Sequence, residues 1–185
     1  MYRSKRWLGI VGAALVLALV CYRLYIAIFF EIGLYSAING FFYMLYIALE
    51  AAGFGVIAIS MVMNKLTKLC VVGPILLVAD ICVGLSNFAK FFFVVNYKSI
   101  PFISSLLLLI APITLLVHVM MKKRKIEICP RLFYIAPAIY IVFGILSRNY
   151  SHMSIFEIVF VASVYLVIGI WIDLVSFYGN GQLIW

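Results

Sequence analysis

The chain has 185 residues, of which 68% are hydrophobic and only 11% are charged, and its mean hydropathy is +1.23. A soluble domain averages about half apolar and a quarter charged residues, and at this size it still exposes about a third of its unfolded surface, so a water-soluble fold is excluded. Low charge and abundant aromatic residues exclude disorder, and four scattered cysteines exclude a disulfide scaffold. The composition predicts an all-α integral membrane protein.

Six segments are apolar over a length that suits membrane-crossing helices, given that about 20 residues at 1.5 Å each span a hydrocarbon core of about 30 Å. The first is interpreted as a retained helix and not as a signal peptide, because it ends in Phe29-Phe30-Glu31 and not in small residues. The fifth segment is the shortest and contains Pro137, so it crosses only if the arginines at its ends snorkel. In chain order the predicted spans are Leu8–Phe30, Phe41–Met63, Leu69–Phe92, Ile100–Met121, Leu132–Ser147 and Ile155–Phe177.

Basic residues lie in alternate connections, and basic loops stay on the cytoplasmic side of a membrane. The opposite loops hold only Lys98 and Arg148, so we expect a polytopic bundle of six helices with both termini cytoplasmic. No soluble domain is predicted, and residues 1–185 form a single membrane domain. Nucleic acid is not expected as a partner, because the basic residues behind the net charge of +8 are explained by the orientation of the chain in the membrane. The basic stretches are Arg3, Lys5 and Arg6, then Lys65 and Lys68, then Lys122 to Lys125 with Arg131.

Several charged residues fall inside predicted spans, where an ionised group costs at least about 2.5–3.5 kcal/mol. By depth, Arg23 of the first helix can meet Glu50 of the second and also Asp80 of the third. Asp80 shares a helical stripe with Asn87. One interpretation is structural, with an Arg23–Glu50 pair that sets helix register. In the other, Arg23, Glu50, Asp80 and Asn87 line an outward-facing site for a small polar ligand or ion. Exposure of these charges to lipid is a third, weaker alternative.

Other candidate chemistry is sparse. His118, Cys129 and Asp173 all fall near the predicted cytoplasmic surface and could supply the base, nucleophile and orienting carboxylate of a membrane thiol protease. This is a remote alternative, because a histidine at a helix end is usually an interfacial side chain. No Walker, GxSxG, HExxH or CxxC pattern occurs, so we expect no enzyme activity, no cofactor and no metal site.

Small residues stand four positions apart on the first helix, Gly9 with Ala13 and Ala14 with Ala18. They provide a surface that another helix can approach closely, either within the chain or from a partner. Six helices, cytoplasmic termini, short loops and this spacing together resemble the substrate-binding membrane components of energy-coupling-factor transporters. The resemblance implies an outward pocket near Arg23, Glu50 and Asp80, and a docking face for a membrane subunit driven by ATPases. The spaced pairs, predicted as the partner interface, are Gly9 with Ala13 and Ala14 with Ala18.

The first hypothesis for function is therefore a non-enzymatic membrane subunit that binds or transports a small solute and works with partner subunits, because no energising motif is present. The alternative is a structural or assembly subunit of a larger membrane complex, in which the intramembrane charges only fix packing. Either would be a multi-pass protein, expected in the plasma (inner) membrane.

Overall fold

The computed structural model describes residues 2–31, 37–94, 108–126, 134–147 and 154–178. In these ranges the chain is helical and contains no strand, which confirms the all-α prediction. The first helix continues into a π-helical turn, Ala27–Glu31. The helices are α1 (Tyr2–Ile26), α2 (Ala37–Met63), α3 (Leu69–Val94), α4 (Ile110–Lys123), α5 (Ile135–Ser147) and α6 (Ile155–Tyr178).

Every predicted span overlaps one of these helices, and most bounds agree within a few residues. The first helix begins earlier than predicted, at Tyr2. The fourth prediction began at Ile100, but residues 95–107 lie outside the described part of the chain, and α4 is observed from Ile110.

Three helical stretches in the described part are long and apolar enough to cross a membrane. Two further apolar stretches, Leu69–Gly84 and Ile135–Leu146, are shorter. With its 13 residues, α5 covers only about 20 Å at 1.5 Å per residue. The described helices are thus compatible with a membrane bundle. The three long stretches are Arg6–Phe29, Gly40–Met63 and Ile155–Ser176.

Two of the three described prolines disturb their helices little. Pro112 and Pro137 each occupy the third position of their helix, where the backbone N–H that proline lacks has no helical partner anyway. Only Pro74 lies beyond the first turn of its helix among the described prolines, so it removes one hydrogen bond from α3.

Consecutive helices pack side by side, and α6 closes the bundle by packing against α1. It also contacts α2 and α4 as well as its neighbour α5, so it is in contact with most of the bundle. Its inner side carries buried residues over most of its length, from Ile158 to Ile172. Side chains that enter the interior from α1, α2 or α4 therefore have α6 as a common neighbour.

A glycine contact brings α2 and α3 unusually close together. A Cβ atom at Gly73 would lie 2.8 Å from the carbonyl oxygen of Gly53, and one at Gly53 would lie 3.0 Å from the carbonyl oxygen of Gly73. Neither position accepts a larger residue without a shift of the facing backbone. Small residues commonly allow this approach in membrane bundles.

One end of the bundle gathers basic side chains, and we call it the basic end. There the indole Nε1 of Trp171 donates to Asn64 Oδ1 at 3.2 Å, which ties α6 to the turn after α2. Gly9 of α1 packs against the carbonyl of Met61, so the start of α1 lies at the same end. Neighbouring helices therefore run in opposite directions. The described basic residues at this end are Arg6, Lys65, Lys68, Lys122, Lys123, Arg124 and Lys125.

Candidate functional site

Arg23 and Glu50 form an ion pair between α1 and α2, halfway along α2. The guanidinium Nε of Arg23 lies 3.2 Å from both carboxylate oxygens of Glu50, and the two side chains are each only 11% exposed. Depth along the helices was the basis for expecting this encounter, and the structure does bring the two residues together. A charge-assisted contact of this kind is stronger than a neutral hydrogen bond.

The remaining nitrogens of Arg23 reach two more side chains. Nη2 donates to the hydroxyl of Tyr46 at 3.3 Å, and Nη1 lies 3.8 Å from Oε1 of Glu157. Because Glu157 belongs to α6, a single guanidinium joins three helices.

Glu157 was not among the residues that we selected from the sequence. Its side chain accepts the backbone N–H of Ser154 at 2.6 Å, while its own N–H donates to Ser154 Oγ at 3.2 Å. This reciprocal arrangement is a capping box, and its Ser-x-x-Glu signature before an apolar run is visible in the sequence. The cap holds a carboxylate at the first turn of α6, where the helix dipole favours negative charge.

The packing of α2 on α3 places Glu50 level with Asp80. The two helices are antiparallel. From one close approach to the next, the residue number falls on α2 by as much as it rises on α3. Glu50 and Asp80 each lie one helical turn beyond the Gly53–Leu77 approach, so they occupy the same level. The approaches that define this register are those of Ile57 with Gly73, Gly53 with Leu77 and Tyr46 with Gly84.

Among the described acidic residues, Asp80 has the least complete set of hydrogen-bond partners. The residue is 4% exposed, and its Oδ1 atom has no hydrogen-bond partner among the described residues. Glu50 and Arg23 both lie within electrostatic range of its carboxyl group. Asn87, which we expected on the same stripe, belongs to α3, but its side chain lies outside the described residues. A buried polar atom without a partner is costly and therefore marks a place where a ligand or a proton is needed.

We call this group of side chains the arginine cluster: Arg23, Tyr46, Glu50, Asp80 and Glu157. It combines three carboxyl groups with one guanidinium, so acidic groups exceed basic ones among the described side chains. Beside the ion pair lies a narrow crevice without room for a water molecule. The crevice is lined by Leu19, Val20, Arg23, Leu24, Ile47, Glu50, Ala51 and Phe54.

A second ionic group lies at the basic end, and we call it the histidine cluster: His118, Lys122 and Asp173. Asp173 Oδ1 lies 3.1 Å from His118 Nε2 and 3.0 Å from Lys122 Nζ, which fastens α4 to α6. Two members of the hypothetical thiol protease are thus adjacent, but Cys129 lies outside the described residues. Within the described ranges no group of three or more His, Cys, Asp or Glu side chains could hold a metal ion.

The small residues of α1 divide between two faces. Gly9 and Ala13 are buried within the chain, Gly9 against the end of α2. Ala14 and Ala18 are exposed, on the same side as Trp7, which is 65% exposed. The surface open to a partner or to lipid therefore contains only the second of the two predicted pairs.

Comparisons with known proteins found no matching family model, no matching curated protein and no matching solved structure.

Proposed function

We propose that this chain is a non-enzymatic integral membrane subunit that binds a small polar solute at the arginine cluster. The observation that carries the proposal is the unpartnered Oδ1 of Asp80, buried beside an Arg23–Glu50 ion pair inside an apolar bundle. Ionisable groups at such a depth are expensive, and in membrane proteins they commonly mark solute or ion pathways. A cluster that served only to fasten helices would be expected to satisfy all its polar atoms.

The proposal includes six membrane crossings with both termini on the cytoplasmic side. It is supported by the collection of basic residues at one end of the bundle, since such residues stay cytoplasmic. In this orientation Arg23 and Glu157 lie toward the outer end, and a solute would enter from outside. The expected location is the plasma (inner) membrane.

Partner subunits belong to the same proposal. The sequence has no ATP-binding motif, so energy for transport would come from another protein. The exposed face of α1 around Ala14 and Ala18 is a surface on which a partner helix could pack closely. This arrangement is the one implied by the resemblance to energy-coupling-factor substrate-binding components.

A structural or assembly subunit is the second candidate. It is favoured by the closed Arg23–Glu50 pair and by the crevice beside it, which does not admit a water molecule. In that case the arginine cluster sets the register of α1, α2 and α6, and the chain's surface engages another membrane protein.

Native mass spectrometry of the detergent-purified protein tests the proposal. We expect the wild-type chain to carry a small-molecule adduct that Glu50→Gln and Asp80→Asn both lose while remaining monodisperse. Asp173→Asn is the matched control, because it changes a carboxylate in the histidine cluster and should keep the adduct. A wild-type chain without any adduct, together with variants that only lose thermal stability, would select the structural candidate. Proteins that copurify with the chain identify its partners.

A further inference from the structure

Two carboxyl groups of the arginine cluster, those of Glu50 and Asp80, lie at the same level on α2 and α3. Among the described side chains, only one guanidinium lies near them. Glu50 occupies the Nε side of the Arg23 guanidinium, and Glu157 lies at Nη1. Asp80, level with Glu50 on the neighbouring helix, has an oxygen that accepts no hydrogen bond from Arg23 or from any other described group. Two ionised carboxylates at this level would repel each other in a medium that screens charge poorly.

The described side chains supply no further positive charge, and any such charge must fit into the observed packing. In this arrangement the crevice beside Glu50 has no room for a water molecule, so a cation could enter it only if the helices moved apart. A proton needs no cavity, because it adds only an O–H bond to a carboxylate that is already present. Two carboxyl groups that share a site commonly hold one proton between them for this reason.

We propose that Glu50 and Asp80 together hold one proton in this closed arrangement, and that a monovalent cation entering the cluster displaces it. The cation exchange rests on the proposed function, because it requires that a solute binds at the arginine cluster. The bound proton does not depend on a solute and can be tested by itself. One carboxyl O–H bond breaks, the proton leaves to water, and one positive charge replaces another. The charge of the cluster therefore stays constant inside the membrane.

Other titratable groups surround the pair on each helix that packs against it. Arg23 comes from α1, and Glu157 comes from the first turn of α6. Three tyrosine hydroxyls also lie within electrostatic range of both carboxyl groups. They belong to Tyr46 of α2, Tyr140 of α5 and Tyr165 of α6.

Infrared spectroscopy of the full chain in detergent tests for the proton. At neutral pH we expect the carbonyl stretch of a protonated carboxyl group, sensitive to exchange into heavy water, and we expect Asp80→Asn to abolish it. Asp173→Asn should leave it unchanged. A spectrum without this band in the wild type, or a band that survives both Asp80→Asn and Glu50→Gln in folded protein, would overturn the shared proton.

Proton release tests the exchange. A pH-indicating dye in weakly buffered detergent solution reports protons freed when NaCl, KCl or methylammonium chloride is added, against N-methylglucamine chloride at equal ionic strength. We expect about one proton per chain with at least one of the small cations, and none from Asp80→Asn. Absence of release with all three cations would overturn the exchange. The proposed function would survive that result if native mass spectrometry still showed an uncharged or anionic adduct that depends on Asp80.

Discussion

The arginine cluster and the histidine cluster both join distant helices through ion pairs, but they differ in charge balance and in access to water. At the basic end, Asp173 is 21% exposed and meets Lys122 and His118, so one acid has two basic neighbours. In the arginine cluster, three acids share one guanidinium, and the side chains of the Arg23–Glu50 pair are 11% exposed. A cluster with balanced charge and partly exposed members such as Asp173 and Lys122 fastens helices at little cost in free energy. The arginine cluster is buried, and its described side chains are not balanced in charge, so we propose that function lies there.

The largest loss of stability is expected when the arginine of the arginine cluster is removed. Arg23→Met leaves Glu50 and Glu157 without a positive partner, and we expect a loss of about 3–5 kcal/mol in the free energy of unfolding. Thermal unfolding in detergent measures it. Arg23→Met combined with Glu50→Leu should recover much of the loss, because an apolar pair replaces an isolated buried charge. A single variant as stable as the wild type would show that water reaches these carboxylates.

The level placement of Glu50 and Asp80 depends on the glycine contact between α2 and α3. Gly73→Ala drives a methyl group against the carbonyl of Gly53, and we expect a loss of about 1–3 kcal/mol together with a change in the infrared carboxyl signal. Gly55→Ala is the matched control, since open space surrounds that position of α2. Equal stability of the two variants in thermal unfolding would contradict the close packing.

The capping box controls where Glu157 meets Arg23. Ser154→Ala removes the hydroxyl that accepts the N–H of Glu157, and we expect a loss of about 1 kcal/mol in unfolding free energy. Ser163→Ala serves as the control, because its hydroxyl only bonds back to the carbonyl of Val159 on an exposed helix face. If both changes have equally small effects on the melting temperature, the cap does not hold α6 in place.

The smallest effect is expected at the basic end. Lys122→Ala removes one partner of Asp173, and a partly exposed pair contributes about 0.2–1 kcal/mol, less in high salt. The difference in melting temperature between wild type and variant should be smaller at high salt than at low salt. Lys125→Ala, at an exposed position, is the control. A loss as large as that of Arg23→Met would remove the distinction between the two clusters.

Much of the arginine cluster was predictable from residue depth, and the rest was not. Arg23 and Glu50 stand out because charges are rare in apolar runs, and their depths match across antiparallel helices. Glu157 lies in the first turn of its helix, where an acidic residue is an ordinary part of a helix cap. The local sequence therefore did not indicate its contact with Arg23. The small residues of α1 likewise did not reveal their orientation: Gly9 and Ala13 face the interior, while Ala14 and Ala18 do not.

Hydropathy is a sum over neighbouring residues, so the sequence by itself determined the helical class, the approximate helix bounds and the concentration of basic residues in alternate connections. Tertiary structure decided the rotation and register of each helix. These depend on how Gly53, Gly73 and Leu77 fit together across an interface, which is a property of two surfaces in contact. That fit puts Asp80 level with Glu50, and it turns scattered acidic residues into one cluster in which the described acidic groups outnumber the described basic ones.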